Sequence, residues 1–209
     1  RKNSILETKD NIVLILNGEI FLDSPYKYQQ SEYIIKLYKK KGVEFIKDLN
    51  GSFSFFLFDR DKNIKILAND RMSSRPIFYS IIEGRVFFSP EIKTFTSFFG
   101  LKFKPDWAAI IEVLTQGFIT NNKTINKEIK RLSYGSYILS KDGKISVKKY
   151  WKFIFNESEQ DLGFNYYSNK LSNLLEKVIS RSLYSNNKYG LFLSGGFDSR
   201  AILALADKS

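Results

Sequence analysis

Apolar and polar positions change period along the chain, and each period implies an element. Residues 11–16 (N-I-V-L-I-L) form a short β-branched apolar run, the pattern of a buried strand, which ends in Asn17-Gly18-Glu19. Over residues 31–49 the apolar positions follow helical spacing: Ile34, Ile35, Leu37 and Tyr38, then Phe45, Ile46 and Leu49 beyond a break at Gly42. Residues 51–58 alternate instead, which places Phe53, Phe55 and Leu57 on one face of a strand. Residues 59–63 are turn sequence, and residues 64–68 are expected to pair back as a hairpin. A second hairpin is predicted over residues 76–82 and 85–89 around Glu83-Gly84. A third is predicted over 136–140 and 144–150 around Asp142-Gly143. Helices are predicted near residues 91–98 and 107–115.

The texture then changes. Residues 157–161 are acidic and polar, as a linker would be. Phe164, Tyr167, Leu171, Leu174, Leu175, Val178 and Leu183 recur at helical spacing and predict a long amphipathic helix. Residues 189–193 read as a short apolar strand running into Ser194-Gly195-Gly196-Phe197-Asp198-Ser199, with a further helix over 200–206. The first part is therefore α+β in class. The second has the helix–strand–loop–helix opening of an α/β unit. One strand and two helices cannot bury a parallel sheet, which needs neighbouring strands and cover on both faces. The chain is accordingly expected to be a fragment, cut at both ends.

Composition narrows the chemistry. With 209 residues, 43% hydrophobic and 26% charged, the chain is ordinary globular material with enough length for a core. It has no Cys and no His, so disulfides, thiolate metal sites and the usual Ser-His or Cys-His machinery are excluded from these residues. The net charge is +11, but the basic residues are scattered, with Lys39-Lys40-Lys41 the one run of three, which points to a solvated surface and not a nucleic-acid face. No charge-free run exceeds ten residues, against roughly 20 needed to span a bilayer. The first residues lead into mixed sequence with no apolar signal region, so a cytoplasmic location is expected.

Two segments carry candidate chemistry. In Ser194-Gly195-Gly196-Phe197-Asp198-Ser199 both glycines let the backbone turn tightly and approach an anion. The helix behind them offers unpaired N–H groups and partial positive charge. Ser194 and Ser199 add hydroxyls, and Asp198 suits a Mg²⁺ that bridges phosphate oxygens. The alternative is a plain strand-to-helix turn capped by Asp198 or Ser199. The second segment is Asn17-Gly18-Glu19. Asn17 can aim a side-chain amide, and Gly18 a backbone N–H, at a developing oxyanion. Alone, the same three residues could be a hairpin turn.

The S-G-G-x-D-S order resembles the pyrophosphate loop of the N-type ATP pyrophosphatases, and residues 189–199 (Y-G-L-F-L-S-G-G-F-D-S) look like the adenylation-domain opening of the asparagine synthetase family. Further matches run in order along the chain. Leu16-Asn17-Gly18-Glu19-Ile20-Phe21 resembles the N-G-E-I-Y of class II glutamine amidotransferases, and residues 45–55 resemble F-x-x-x-L-x-G-x-F-A-F. Asp70-Arg71 with Pro76-Ile77-Phe78-Tyr79 is similar to D-R-x-G-x-[KR]-P-L-Y-Y, and residues 87–93 resemble F-A-S-E-x-K with one residue inserted. Thr124-Ile125, Arg131-Leu132, Gly135-Ser136-Tyr137 and Tyr150-Trp151 follow the family's T-I-F…R-L-P-P-G…Y-W passage.

The resemblance implies two domains. Residues 1–155 would be an N-terminal-nucleophile-hydrolase-like αββα sandwich, a type 2 glutamine amidotransferase domain. Residues 160–209 would open an α/β asparagine synthase domain. It implies adenylation of a carboxylate, aspartate at its side chain, by ATP with Mg²⁺, and amidation by ammonia from glutamine. The residues implied are Asn17 and Gly18 for the oxyanion, and Asn17, Gly18, Glu19 and Gln30 for glutamine. For ATP they are Leu193, Ser194, Gly195, Gly196, Asp198 and Ser199, with Asp198 also on the metal. The expected partners are these small molecules, with no nucleic acid and no membrane; a homodimer is allowed. Two departures bear on the chemistry. The family's nucleophile is an N-terminal Cys, and this sequence has none. The family also carries an Asp two residues before the position of Glu32, where it pairs with the α-ammonium of glutamine. Here Gln30 stands there, and a charge-assisted bond becomes a neutral one, weaker by roughly 1 kcal/mol. A rival reading follows: an adenylating cyclase or amide ligase of peptide or β-lactam biosynthesis, in which an internal amine attacks and the glutaminase domain is inactive.

Overall fold

The computed structural model describes residues 4–22, 30–155, 160–183 and 189–206. The chain divides into two compact units. Among the described residues, the first holds all nine strands and three helices, and the second holds the last two helices.

In the first unit, β1 (Ser4–Lys9) and β2 (Ile12–Ile20) form an antiparallel hairpin. Asp10 and Asn11 make its turn with φ of 51° and 57°, the mirror-image geometry whose twist suits a two-residue hairpin. Then come α1 (Gln30–Lys41) and a tighter 3₁₀ segment (Gly42–Asp48). Gly42, at φ +58°, is the break that separates them. Next are β3 (Gly51–Asp59), β4 (Ile64–Asn69), β5 (Phe78–Ile82), β6 (Arg85–Ser89), α2 (Lys93–Ser97) and α3 (Trp107–Gln116). The unit closes with β7 (Lys130–Arg131), β8 (Ser136–Lys141) and β9 (Lys144–Lys149). The strands form a six-stranded sheet in the order β1-β2-β3-β4-β8-β9 and a three-stranded sheet in the order β6-β5-β7, antiparallel throughout.

Three interfaces stack these elements. On one face of the large sheet, Leu14, Leu16, Phe53, Phe55 and Leu57 are buried together with Ile34, Tyr38 and Phe45 of the helical layer. The Phe45 ring lies 5.8 Å from Tyr38 and 5.7 Å from Phe55. Truncating any such core Phe to Ala costs about 3–5 kcal/mol. On the other face, Phe56, Leu67 and Ile138 meet Ile77, Tyr79, Leu132 and Phe88 of the small sheet and its flanks, with Phe56 and Phe88 5.1 Å apart. The outer face of the small sheet presents Phe78, Ile82 and Phe87 to Phe95 of α2 and to Phe99. The succession helix, sheet, sheet, helix is the αββα sandwich expected. α3 begins on Asp106, whose Oδ1 accepts from the Ala109 N–H at 3.2 Å, and stops at Gly117 with φ +81°.

The second unit contains α4 (Phe164–Leu183) and α5 (Phe197–Ala206). The long amphipathic helix is present as predicted, but it has no buried residue: Leu171, Leu174, Leu175 and Val178 are all exposed. The strand expected over residues 189–193 is not formed. A strand is defined by its ladder, and among the described residues no segment pairs with this one. The start of a parallel α/β sheet is therefore not observed. The expected linker over 157–161 falls mostly outside the described residues.

Candidate functional site

The sequence ends the first apolar strand at Leu16, whereas β2 continues to Ile20 and carries Asn17, Gly18 and Glu19 in its last part. Leu14, Leu16 and Ile20 face the helical layer. Alternation therefore places Asn17 and Glu19 on the face shared with Phe56. Both are half-buried. Asn17 lies opposite Ser54, which lies opposite Asn69, so three polar residues form one row across β2, β3 and β4. The Asn17 Nδ2 donates to Ser54 Oγ at 3.5 Å, a long and weak bond.

The backbones of β2 and β3 are pressed together here. Gly18 has φ +106°, and a Cβ on it would lie 2.1 Å from the Ser52 carbonyl oxygen; a Cβ on Gly51 would lie 2.2 Å from that of Glu19. Gly18 faces Phe53 in the register. Phe53, however, donates its N–H to Asp70 Oδ2 at 3.0 Å and accepts the Asp70 N–H at 2.9 Å, both toward β4. Gly18 and Phe53 are thus a non-hydrogen-bonded pair, and the Gly18 N–H is directed away from β3.

Asp70 fixes this end of the sheet. Only 2% exposed, it also accepts from Met72 N at 2.8 Å and from Ser74 Oγ at 2.6 Å. The Ser74 hydroxyl is in turn 2.8 Å from that of Ser52, the residue opposite Glu19. Asn69 donates to the carbonyls of Leu132 at 3.1 Å and Ser133 at 2.9 Å, and its oxygen accepts from Ser136 N at 3.1 Å. Sequence reading picks out Asp70-Arg71 as a motif but not Asp70 as the hub of this end, and it misses Ser52, Ser54, Asn69 and Ser74. The D-x-x-x-S spacing of an Asp that accepts from its own turn is the one local signal that could have found Ser74.

Gln30 opens α1, and its Oε1 accepts from the Ile20 N–H at 3.1 Å, clipping the end of β2 to the helix. Asn17, Gly18, Glu19 and Gln30 thus belong to one stretch of β2 and the helix tied to it. Together they offer amide N–H donors and a single carboxylate, the functional groups that hold a carboxamide and an oxyanion.

In the second unit the loop Ser194-Gly195-Gly196 runs directly into α5. Ser199 Oγ lies 3.0 Å from Ser194 Oγ and accepts from Ser194 N at 3.2 Å, while Gly196 N donates to Ser194 Oγ at 3.2 Å. Ser199, not Asp198, therefore ties the turn. Leu193 and Asp198 are exposed, and apart from its chain neighbours nothing lies within 4 Å of a Cβ position on Gly195. An open glycine turn at a helix N-terminus fits phosphate oxygens. Asp198 is a lone carboxylate, and among the described residues no group of three acidic side chains could hold a metal. No helix among the described residues is long and apolar enough to cross a membrane.

Residues 3–151 match the family described as glutamine amidotransferase domain, and residues 170–209 match asparagine synthase. The chain belongs to the glutamine amidotransferase domain family, and the opening of an asparagine synthase domain follows in the same chain. It is 27% identical to an amidase of Penicillium rubens over 97% of this chain and 32% of that protein. It is 28% identical to asparagine synthetase [glutamine-hydrolyzing] 2 of Bacillus subtilis over 96% of this chain and 30% of that protein. Among solved structures, glutamine phosphoribosylpyrophosphate amidotransferase from B. subtilis overlaps with a TM-score of 0.42 and 15% identity, over 98% of this chain and 46% of that one. The chain spans about a third of the length of the curated relatives it matches.

Proposed function

We propose that this chain is the glutaminase domain and the opening of the adenylating domain of an asparagine-synthetase-like ligase, with the boundary near residues 155–160. The observation that carries the reading is the Gly18–Phe53 pair. Because Phe53 spends both backbone groups on Asp70, β3 does not use the Gly18 N–H, and the neighbouring Asn17 side-chain amide is held only by a 3.5 Å bond to Ser54 Oγ, so both can turn to a substrate oxygen. In this reading they hold the oxygen of the glutamine carboxamide as it gains negative charge, with Glu19 and Gln30 binding the rest of the substrate. The nucleophile that opens the amide comes from outside these 209 residues, which contain no Cys. In the second unit Ser194, Gly195, Gly196 and Ser199, with the Leu193 backbone, bind ATP phosphates, and Asp198 holds Mg²⁺. When bound, the metal supplies charge neutralisation for the departing pyrophosphate. The acceptor is a carboxylate, aspartate by analogy with the named relatives.

The test uses the whole protein with ATP, Mg²⁺, aspartate and glutamine. The reading requires glutamate release together with asparagine, AMP and pyrophosphate. A second reading, an adenylating amide ligase with a silent glutaminase domain, is favoured by Gln30, which is neutral and already tied to Ile20. ATP consumption with a carboxylate but no glutamate release would select it. Neither glutamate release nor ATP cleavage would remove both.

A further inference from the structure

The first unit contains a cleft of about 840 Å³, apart from every residue assigned above to glutamine or ATP. We propose that it binds a small phosphorylated anion. Three segments bring bases to it: Lys123 from the loop after α3, Arg131 from β7 and Lys149 from the end of β9. No carboxylate lines it. Among the described residues, the one acidic group that reaches a lining base is Glu112, which pairs with Lys123 and also accepts from the N–H and hydroxyl of Thr120. Glu112 thereby neutralises one of the three charges, and Arg131 and Lys149 have no carboxylate partner among the described residues. A net charge of two thus faces a concavity, unlike the solvated lysines elsewhere on the surface.

The remaining lining fits the same ligand. The side-chain amides of Asn121 and Asn122 make no hydrogen bond among the described residues and can donate to phosphate oxygens. Arg131 offers the planar fork that grips a phosphate through two bonds. Lys149 lies 3.6 Å from the centroid of the Tyr134 ring, so that ring face is occupied by a cation and not offered to a base. The recognised part is therefore the phosphate, in a cleft within the ordinary range for ligands of nucleotide size. Asn121 and Ser73, both lining residues, hold left-handed backbone at φ of 61° and 52°. That costs a non-glycine residue energy, and such strain clusters at binding sites.

The test is calorimetric titration of the 209-residue chain with inorganic tripolyphosphate at low salt. One saturable equivalent is expected at the cleft. Arg131→Ala with Lys149→Ala should weaken it about tenfold or more, and Asn122→Asp should weaken it with both bases intact. Ser194→Ala with Ser199→Ala should leave that equivalent in place. Circular dichroism melts establish that each variant folds. If the double base variant does not, Arg131→Gln, which keeps the length and a donor, replaces it. Absence of saturable binding overturns the proposal. So does binding that the serine variants abolish and the base variants leave unchanged, which assigns the anion to the loop before α5. The titration does not depend on glutaminase or ligase activity, so failure of the functional reading leaves it standing.

Discussion

The carbonyl oxygen of Ser52 stands 2.1 Å from the point a Cβ on Gly18 would occupy, closer than any real side-chain carbon sits. Because the obstacle is backbone, it cannot rotate away. Gly18→Ala should therefore force β2 and β3 apart at the end that carries Asn17. We expect a loss of about 3 kcal/mol or more, read as a lower midpoint in urea, with glutaminase activity of the whole protein lost alongside.

Gln30→Asp tests the glutamine pocket. If this position faces the α-ammonium of glutamine as proposed, the substitution supplies a carboxylate for it, and it removes the Gln30 Oε1 that accepts from Ile20 N. Glutaminase assays on the whole protein should show a lower KM with kcat little changed. Asn17→Ala should do the opposite, lowering kcat by roughly 10²-fold, because the oxyanion forms only in the transition state. Since its bond to Ser54 Oγ is already 3.5 Å long, stability should barely move.

Asp70→Asn replaces an acceptor-only group with one that presents N–H to the donors of Phe53, Met72 and Ser74. The variant should lose about 2–3 kcal/mol in urea unfolding with the slope unchanged.

Stability should also report on the Tyr38–Asp59 bond of 2.8 Å. Burial alone would raise the Asp59 pKa, but donation from Lys62 N and Tyr38 OH outweighs it and holds the carboxyl below its usual value. A depressed carboxyl contributes stability above its unfolded pKa and loses it as pH falls, so the melting temperature should drop on acidification from about pH 5. Tyr38 is shifted the other way, raised by burial and by Asp59. Its contribution is present below the unfolded tyrosine pKa of about 10 and is lost as pH rises beyond it. Tyr38→Phe should flatten both limbs of a melting-temperature profile.

Asp198→Ala addresses the second unit. In the whole protein, exchange of labelled pyrophosphate into ATP should disappear in the presence of the carboxylate substrate. Because Ser199 and not Asp198 ties the turn, the loop itself should survive the change. Unchanged exchange would remove Asp198 from the metal.

Elements whose period alone decides them were legible in the sequence. Phe53, Phe55 and Leu57 declared their buried face, and Glu83-Gly84 and Asp142-Gly143 declared their turns. Positions decided by a partner strand were not. The turn composition of Asn17-Gly18-Glu19 puts the end of β2 at Leu16, yet pairing with β3 carries it to Ile20. β1 escaped notice because Ser4–Lys9 has no strong apolar alternation; its hairpin depends on Asp10-Asn11 adopting positive φ. The polar row of Asn17, Ser54 and Asn69 spans three strands and has no signature in any one of them.

The segment Leu191-Phe192-Leu193 is apolar and lies outside any ladder among the described residues, with Phe192 99% exposed. An apolar segment outside any sheet, with bare aromatic and aliphatic side chains, is a template for strands of other molecules. In a concentrated sample of the 209-residue chain, we expect this stretch to limit the concentration that stays clear. Phe192→Lys should raise that ceiling without touching the αββα core, an outcome visible as delayed light scattering in a simple concentration series.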